Sequence, residues 1–314
     1  MKYVRNLLKT KNVDVVHVHF HRDIWIPSMV LRNDRQRKLF LSVYMGVFSK
    51  NDLLHRWIYG RVDAIFTSSQ SLNALLPERY PVSKETIFLL PYGRRIENYR
   101  EDQTVRKSMR ERLHVRDDEL LVGTIVRIDP GKGALDFARS FLYLDQQSRS
   151  KIKYLIVGEP TRRGVRKRGE SPYEPHCEKY LREIESLIAS EGLTEQIILA
   201  GYQADVIGCL NAMDIFAFPS HDELYSLVML DAMAMGLPII ATRAGGNLEQ
   251  ITDGINGSLF EVGNSEDLAL RIRNYIDHPD LRKKHGDAAR SFVDRRHDMN
   301  ATIRQLLKFY RTNM

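Results

Sequence analysis

The chain has 314 residues and a mass of 36.4 kDa, enough for two domains, each with its own core. Its 43% hydrophobic and 28% charged content is ordinary for a soluble globular protein, and no apolar run approaches the roughly 20 residues of a membrane-spanning helix. Two cysteines, Cys177 and Cys209, exclude a disulfide framework, and no signal peptide opens the chain, so a reducing cytoplasm is expected. The net charge of +7 and pI near 9.3 favour anionic partners: phosphate groups, acidic lipid surfaces or nucleic acid.

In chain order, MKYVRNLLKTKN patterns as a surface helix feeding the strand DVVHVHF. The strand-like runs KLFLSV, DAIFTSS and TIFLLPYG then alternate with the helix-patterned NDLLHRWIYG and SQSLNALLPERY. That alternation indicates a parallel α/β sheet. His17, His19 and His21 recur at period two along a strand and its exit, which places them on one face. Two readings stay open for them: a metal or acceptor site, or ordinary polar residues at a strand end. No carboxylate or cysteine at ligand spacing supports a metal. From Tyr99 to about Asp118 the composition turns charged, which reads as an interdomain connection with a solvated face.

The second half opens with LLVGTIVRIDPGKG. A strand from Leu120 to Val126 delivers Arg127 to its carboxyl end, and Lys132 follows in a Gly-flanked turn before a helix near Ala134. Two cations beside a helix amino terminus suit a diphosphate. The GKG turn is not a Walker A loop, because Gly133 stands where a magnesium-holding Ser or Thr belongs. The strand KYLIVGEP leads into TRRGVRKRGESPYEP, where five of the eight residues from Thr161 to Arg168 are basic. This reads either as a lid that draws phosphorylated acceptors or acidic headgroups, or as a solvated insertion; near such a surface each cation contributes about 1 kcal/mol. A helix from about Pro175 to Ser190 and the strand QIILAGY follow. The run from DIFAFP to PIIAT then forms a strand–loop–helix–strand unit. Its PSHDE loop places Glu223 at a strand's carboxyl end, where ligands of open parallel sheets bind, and Asp231 lies eight positions on within the helix. The closing DMNATIRQLLKFYRTNM is amphipathic, a face for a partner or a membrane.

These motifs resemble glycosyltransferase family 4, the retaining nucleotide-sugar enzymes of the GT-B fold. The family pattern is approached by Pro219-Ser220, Glu223, Ala232-Met233-Ala234, Gly236, Pro238, Ala241-Thr242, Gly245-Gly246, Glu249, Asp253-Gly254 and Asn256-Gly257. Arg127 and Lys132 match the family's G-R-L-x-x-x-K-G motif, and PYGRR its P-N-G-V-D turn. Two departures stand out. The E-G-F-G turn reads Glu223-Leu224-Tyr225-Ser226, losing glycine geometry, and the family's second Glu is Asp231.

The resemblance implies α/β architecture, two Rossmann-like domains facing a cleft. Their expected bounds are residues 1–115, for an acceptor-side domain lacking the family's first β-α units, and 116–295, for the donor domain. Residues 296–314 would form a helix packing back on the first domain. It implies Glu223, Arg127 and Lys132 as catalytic residues, and Gly201, Tyr202, Val206, Ser226, Leu227, Val228 and Asp231 as donor-binding residues. His17, His19 and Tyr44 are candidates on the acceptor and sugar side; Tyr44 lies in the Ser42–Gly46 stretch, where the family often carries a His. The implied substrates are a UDP- or GDP-linked sugar and a glycan or lipid-linked acceptor, with no metal and no cofactor. The implied location is cytoplasmic, at the inner face of the membrane. Three other readings compete: a catalytically weak, donor-binding or scaffold relative, a nucleic-acid binder motivated by charge alone, and a retaining glycosidase using Glu223 and Asp231.

Overall fold

The computed structural model describes residues 1–44, 49–164 and 171–313. Met45 and Gly46, and the basic residues of the lid reading beyond Gly164, lie outside the described residues. The chain forms two compact units, Met1–Arg94 with Arg296–Met314, and Arg95–Arg295. Among the described residues no helix is long and apolar enough to cross a membrane.

The first unit is built on four parallel strands lying side by side in chain order: β1 (Val15–Val18), β2 (Lys38–Val43), β3 (Ala64–Thr67) and β4 (Ile87–Leu89). The central strands are nearly continuous apolar runs, as a sheet covered on both faces requires. Leu39, Leu41 and Ile65 meet Ile58, Leu72 and Leu76 from the connecting helices on one face. Phe40 and Phe66 point the other way and are closed over by the helix Met299–Asn313 through Leu306, Phe309 and Tyr310. The Phe309 ring lies 5.0 Å from Phe66 and 4.6 Å from Phe88.

The second unit is a six-stranded parallel sheet in the order β10-β9-β8-β5-β6-β7. The strands are β5 (Leu120–Ile125), β6 (Ile152–Val157), β7 (Ile197–Gly201), β8 (Ile215–Phe218), β9 (Ile239–Thr242) and β10 (Ser258–Phe260). Winding runs outward from β5 in both directions, so β5 and β8 flank a topological switch point. In such sheets the loops leaving the carboxyl ends there diverge and leave room for a ligand.

The charged stretch after Tyr99 needs correction. It forms the helix Gln103–Arg112, which belongs to the second unit ahead of the boundary expected at residue 115. Its inner face is not solvated: Arg110 is 2% exposed. Arg106 and Arg110 grip the two oxygens of Asp214 at 2.6 and 3.2 Å, and Arg110 also donates to the carbonyls of Ala212, Arg116 and Glu119. A planar guanidinium satisfies so many acceptors at once that burial is tolerated.

Candidate active site

Two loops meet at the switch point. After β5 the chain runs through Arg127 to Lys132, where Asp129 caps the short turn Pro130–Lys132 by accepting from Gly131 N. Gly133 then takes a left-handed φ of 69°, and a Cβ there would lie 2.0 Å from Pro219 O. The loop after β8 therefore packs directly on the loop after β5, through a glycine that no larger residue replaces. His221 adds a second tie, donating its backbone N–H to Gly131 O and placing Nε2 2.5 Å from Asp136 Oδ2.

This contact brings Lys132 and Glu223 together. Lys132 Nζ lies 2.9 Å from Glu223 Oε2, with Ser220 Oγ at 3.3 Å and the Asp222 carbonyl at 3.4 Å. Both side chains keep about a fifth of their surface exposed, at 20% and 22%, so a ligand can reach either charge. Arg127 points elsewhere. It is exposed and lines a cavity of about 440 Å³ with Gly158, Glu159, Thr161, Arg162, Tyr202 and Val206. Glu159 is held on the rim by Arg162, at 2.7 and 3.1 Å, and by the Tyr173 hydroxyl at 3.0 Å. The Arg162 guanidinium, followed by the Tyr173 hydrogen bond, keeps the Glu159 carboxyl below the usual carboxylate range. Gly201 ends β7 with a left-handed φ of 64° and open space about it, which turns Tyr202 out to 67% exposure.

The turn that departs from the family pattern is built without glycine geometry. Among the described residues, positive φ outside glycine occurs only at Asn12 and His114, so Leu224, Tyr225 and Ser226 sit in ordinary backbone regions. Ser226 is the amino-terminal cap of the helix Leu227–Ala234: its Oγ accepts from Met229 N at 3.2 Å. The Gln250 amide brackets it, accepting from Ser226 N and donating to Ser226 O, both at 2.9 Å. The tight approach falls instead on Gly246, whose N–H donates to Glu223 O at 2.7 Å and whose Cβ would lie 1.8 Å from Leu224 O. Leu227 and Val228 open the helix at the carboxyl edge, where first-turn N–H groups and the helix dipole favour an anion.

Asp231 stands within the helix Leu227–Ala234. It is 9% exposed, and Tyr99 OH donates to its Oδ1 at 2.5 Å. Tyr99 is in turn pinned by Arg290, which donates to the carbonyls of Tyr99 and Ala234. Nothing local in the sequence marks Tyr99 as a partner of Asp231, since 132 positions separate them. The His221–Asp136 pair was missed for the same reason.

In the first unit, His17, His19 and Tyr44 form a continuous row. The His17 and His19 rings stack at 4.4 Å, and His19 Nδ1 lies 3.1 Å from Tyr44 OH. Both His17 nitrogens are engaged, Nδ1 with Tyr310 OH at 2.5 Å and Nε2 with Ser42 Oγ at 2.8 Å. Burial, and secondarily the His19 charge, lowers the His17 pKa to about 4, so the ring is neutral at neutral pH. His21 lies beyond the strand, in the turn that follows β1, under the influence of Lys50 and Arg22.

A parallel α/β sheet with a lysine and a carboxylate paired at its switch point is the class this geometry defines. Residues 105–292, more than half of the chain, match the family Glycosyl transferases group 1. The chain belongs to that family. It is similar to the D-inositol 3-phosphate glycosyltransferase of Geodermatophilus obscurus, 25% identical over 71% of this chain and 48% of the relative. It is also similar to the lipopolysaccharide 1,2-N-acetylglucosaminetransferase of Salmonella typhimurium, 29% identical over 62% of this chain and 47% of the relative. The chain thus spans about half the length of the curated relatives it matches. A glycosyltransferase structure from Rickettsia africae superposes with a TM-score of 0.84 at 21% identity, covering 99% of this chain and 80% of that one. HepE of Anabaena, solved with UDP-glucose, superposes at 0.79 with 19% identity, covering 99% and 81%. The fold is the GT-B fold of these structures.

Proposed function

We propose that the chain is a retaining glycosyltransferase of family 4 that moves a sugar from a UDP- or GDP-linked donor to the hydroxyl of a glycan or lipid-linked acceptor, in polysaccharide or glycolipid synthesis on the cytoplasmic side of a membrane. The observation that carries this reading is the meeting of Lys132 and Glu223, at 2.9 Å, where the loops after β5 and β8 pack together at the switch point. HepE is solved with a UDP-sugar, and the curated relatives carry sugar-transferring names, which supports the donor class.

Departure of a nucleoside diphosphate leaves growing negative charge on its β-phosphate while the sugar becomes oxocarbenium-like. Lys132, and Arg127 from the neighbouring cavity, are the cations that stabilise that charge where it appears in the transition state. An incoming diphosphate competes with Glu223 for Lys132. Once displaced, Glu223 is free to hold sugar hydroxyls. The first-turn N–H groups of Leu227 and Val228 add anion stabilisation. Asp231 holds the ribose, Gly201, Tyr202 and Val206 border the base, and Ser226 orders the helix start. His17, His19 and Tyr44 serve the acceptor side. The acceptor proton passes to the leaving phosphate, so no protein nucleophile and no metal is assigned a step. Calorimetric titration with UDP, GDP and ADP tests the reading. One nucleotide is expected to bind in the micromolar range and to lose that binding in Arg127→Ala. A folded chain that binds none of the three would instead be a donor-independent scaffold.

A further inference from the structure

Asp129, His176 and Cys177 have no part in the scheme above, although Asp129 shares its loop with Arg127 and Lys132. His176 and Cys177 form the first turn of the helix Pro175–Ser190, whose amino terminus comes up against that loop. One donor atom from each residue lies within 4.8 Å of the other two. Cys177 Sγ is 3.2 Å from His176 Nε2 and 3.5 Å from Asp129 Oδ2. A tetrahedral zinc ion, with bonds of about 2.3 Å to sulfur and about 2.0–2.2 Å to nitrogen and oxygen, sets ligand atoms roughly 3.4–3.6 Å apart. Two edges of such a tetrahedron are therefore nearly in place without backbone movement.

We propose that Asp129, His176 and Cys177 form a binding site for a zinc-class divalent cation, with the fourth position open to water. The donor set selects the metal. Thiolate and imidazole suit zinc and its softer neighbours, whereas magnesium and calcium require oxygen ligands throughout. The charges balance: one carboxylate and one thiolate neutralise the dication, so the loaded site is neutral where the empty one carries the Asp129 charge. On binding, the Cys177 S–H bond gives way to a sulfur–metal bond and its proton leaves to solvent. The carboxylate is already oriented, with Asp129 Oδ1 accepting from Gly131 N at 3.1 Å and Oδ2 accepting from Thr161 Oγ1 at 3.4 Å. Cys177 is fully buried while His176 is exposed, so the ion enters from the imidazole side. The ion ties the Arg127–Lys132 loop to the helix at Pro175 and takes no part in sugar transfer.

The test reads ion binding alone, so its outcome is separate from that of the nucleotide titration. Chelator-treated protein is titrated with Zn2+ and, in parallel, with Co2+. The expected result is one ion per chain, a sulfur-to-cobalt absorption band, and a Tm that rises with Zn2+. Cys177→Ala and Asp129→Asn should each weaken Zn2+ binding by at least the roughly 10–100-fold that even a change outside the ligand shell costs. The proposal is overturned by sub-stoichiometric ion, by a cobalt spectrum without the sulfur band, or by Zn2+ affinity unchanged in both variants. Asp129→Asn is isosteric and lies on a partly exposed loop, so it carries the test where the buried Cys177→Ala fails to fold.

Discussion

The two units use the same scaffold, a parallel sheet with its chemistry near the carboxyl ends of the strands, and load it differently. In the second unit the candidate groups stand on loops, and backbone contacts hold those loops. Gly133 lies against Pro219 and Gly246 against Leu224, so Lys132 and Glu223 meet because two turns are interlocked. In the first unit the groups stand on β1 or one residue past the carboxyl ends of β1 and β2, and ring stacking holds them. His17, His19 and Tyr44 form a row locked at one end by Tyr310 from the terminal helix. A loop-borne site is rebuilt easily by changing turn residues. The row cannot change at His17 without disturbing the rings of Phe40 and Phe66.

If the loops carry catalysis, their charges should govern rate rather than stability. Lys132→Ala is expected to lower kcat by about one to three orders of magnitude, as removal of other preorganised charges does, with a change in unfolding midpoint worth at most ~1 kcal/mol for a partly exposed pair. Glu223→Gln should lower kcat as well while tightening nucleotide binding, because it frees Lys132 for the diphosphate. Steady-state kinetics on both variants would break the comparison if the pair proved purely structural: stability would then fall and kcat would hold.

The interlocking itself is tested at Gly133. Alanine there combines a left-handed φ of 69° with a Cβ 2.0 Å from a carbonyl oxygen. Left-handed strain alone costs about 1–3 kcal/mol, and the clash forces the two loops apart. Gly133→Ala should therefore lower the urea midpoint and abolish nucleotide binding together. Gly192 also has a positive φ, of 66°, but open space around it, so Gly192→Ala should cost stability alone. Calorimetry and urea unfolding on the pair separate strain from loop spacing.

These elements differ in how far the sequence showed them. Strands β1 to β10 were legible because parallel, doubly covered strands are short apolar runs bounded by turn residues. The places of Arg127, Lys132 and Glu223 just past strand ends were legible because a strand end followed by a short loop has little freedom; the contact between Lys132 and Glu223 was not. The cap at Ser226 was hidden, since the missing glycines suggested a distorted turn, whereas the structure assigns the demanding backbone geometry to Gly245 and Gly246. Burial of Arg110 was hidden too, because a helix of charged residues shows no apolar stripe, and its acceptors are carbonyls that no composition reveals. The contacts of Asp231 with Tyr99 and of His17 with Tyr310 span 132 and 293 positions and leave no local trace.

Tyr99 sharpens the comparison within the second unit, because under the proposed function its hydrogen bond positions Asp231. Tyr99→Phe removes a hydrogen bond to a carboxylate, a change worth about 1.5–3 kcal/mol. Without that bond Asp231 should, under the proposed function, hold the ribose less well, weakening nucleotide binding roughly 10-fold or more and raising KM, with kcat nearly unchanged. A fall in kcat at constant KM would instead place Asp231 in the reaction itself.

The effect at the histidine row leaves activity at neutral pH untouched and appears only in acid. His17 has its pKa lowered to about 4 in the folded chain, against 6.5 for the ordinary side chain. Between those values the unfolded chain binds the proton and the folded chain does not, so protonation favours unfolding. The stability due to neutral His17 is complete above pH 6.5 and is lost as pH falls toward 4. His285 and His297, also lowered by burial, add in the same direction and cancel when wild type is compared with a His17 variant. His17→Asn, which keeps polar atoms facing Ser42 and Tyr310, should have an unfolding midpoint that declines less steeply between pH 7 and pH 4.5. Parallel acid limbs for the two proteins would mean that His17 is protonated in the folded row and that the stacked rings accommodate a charge.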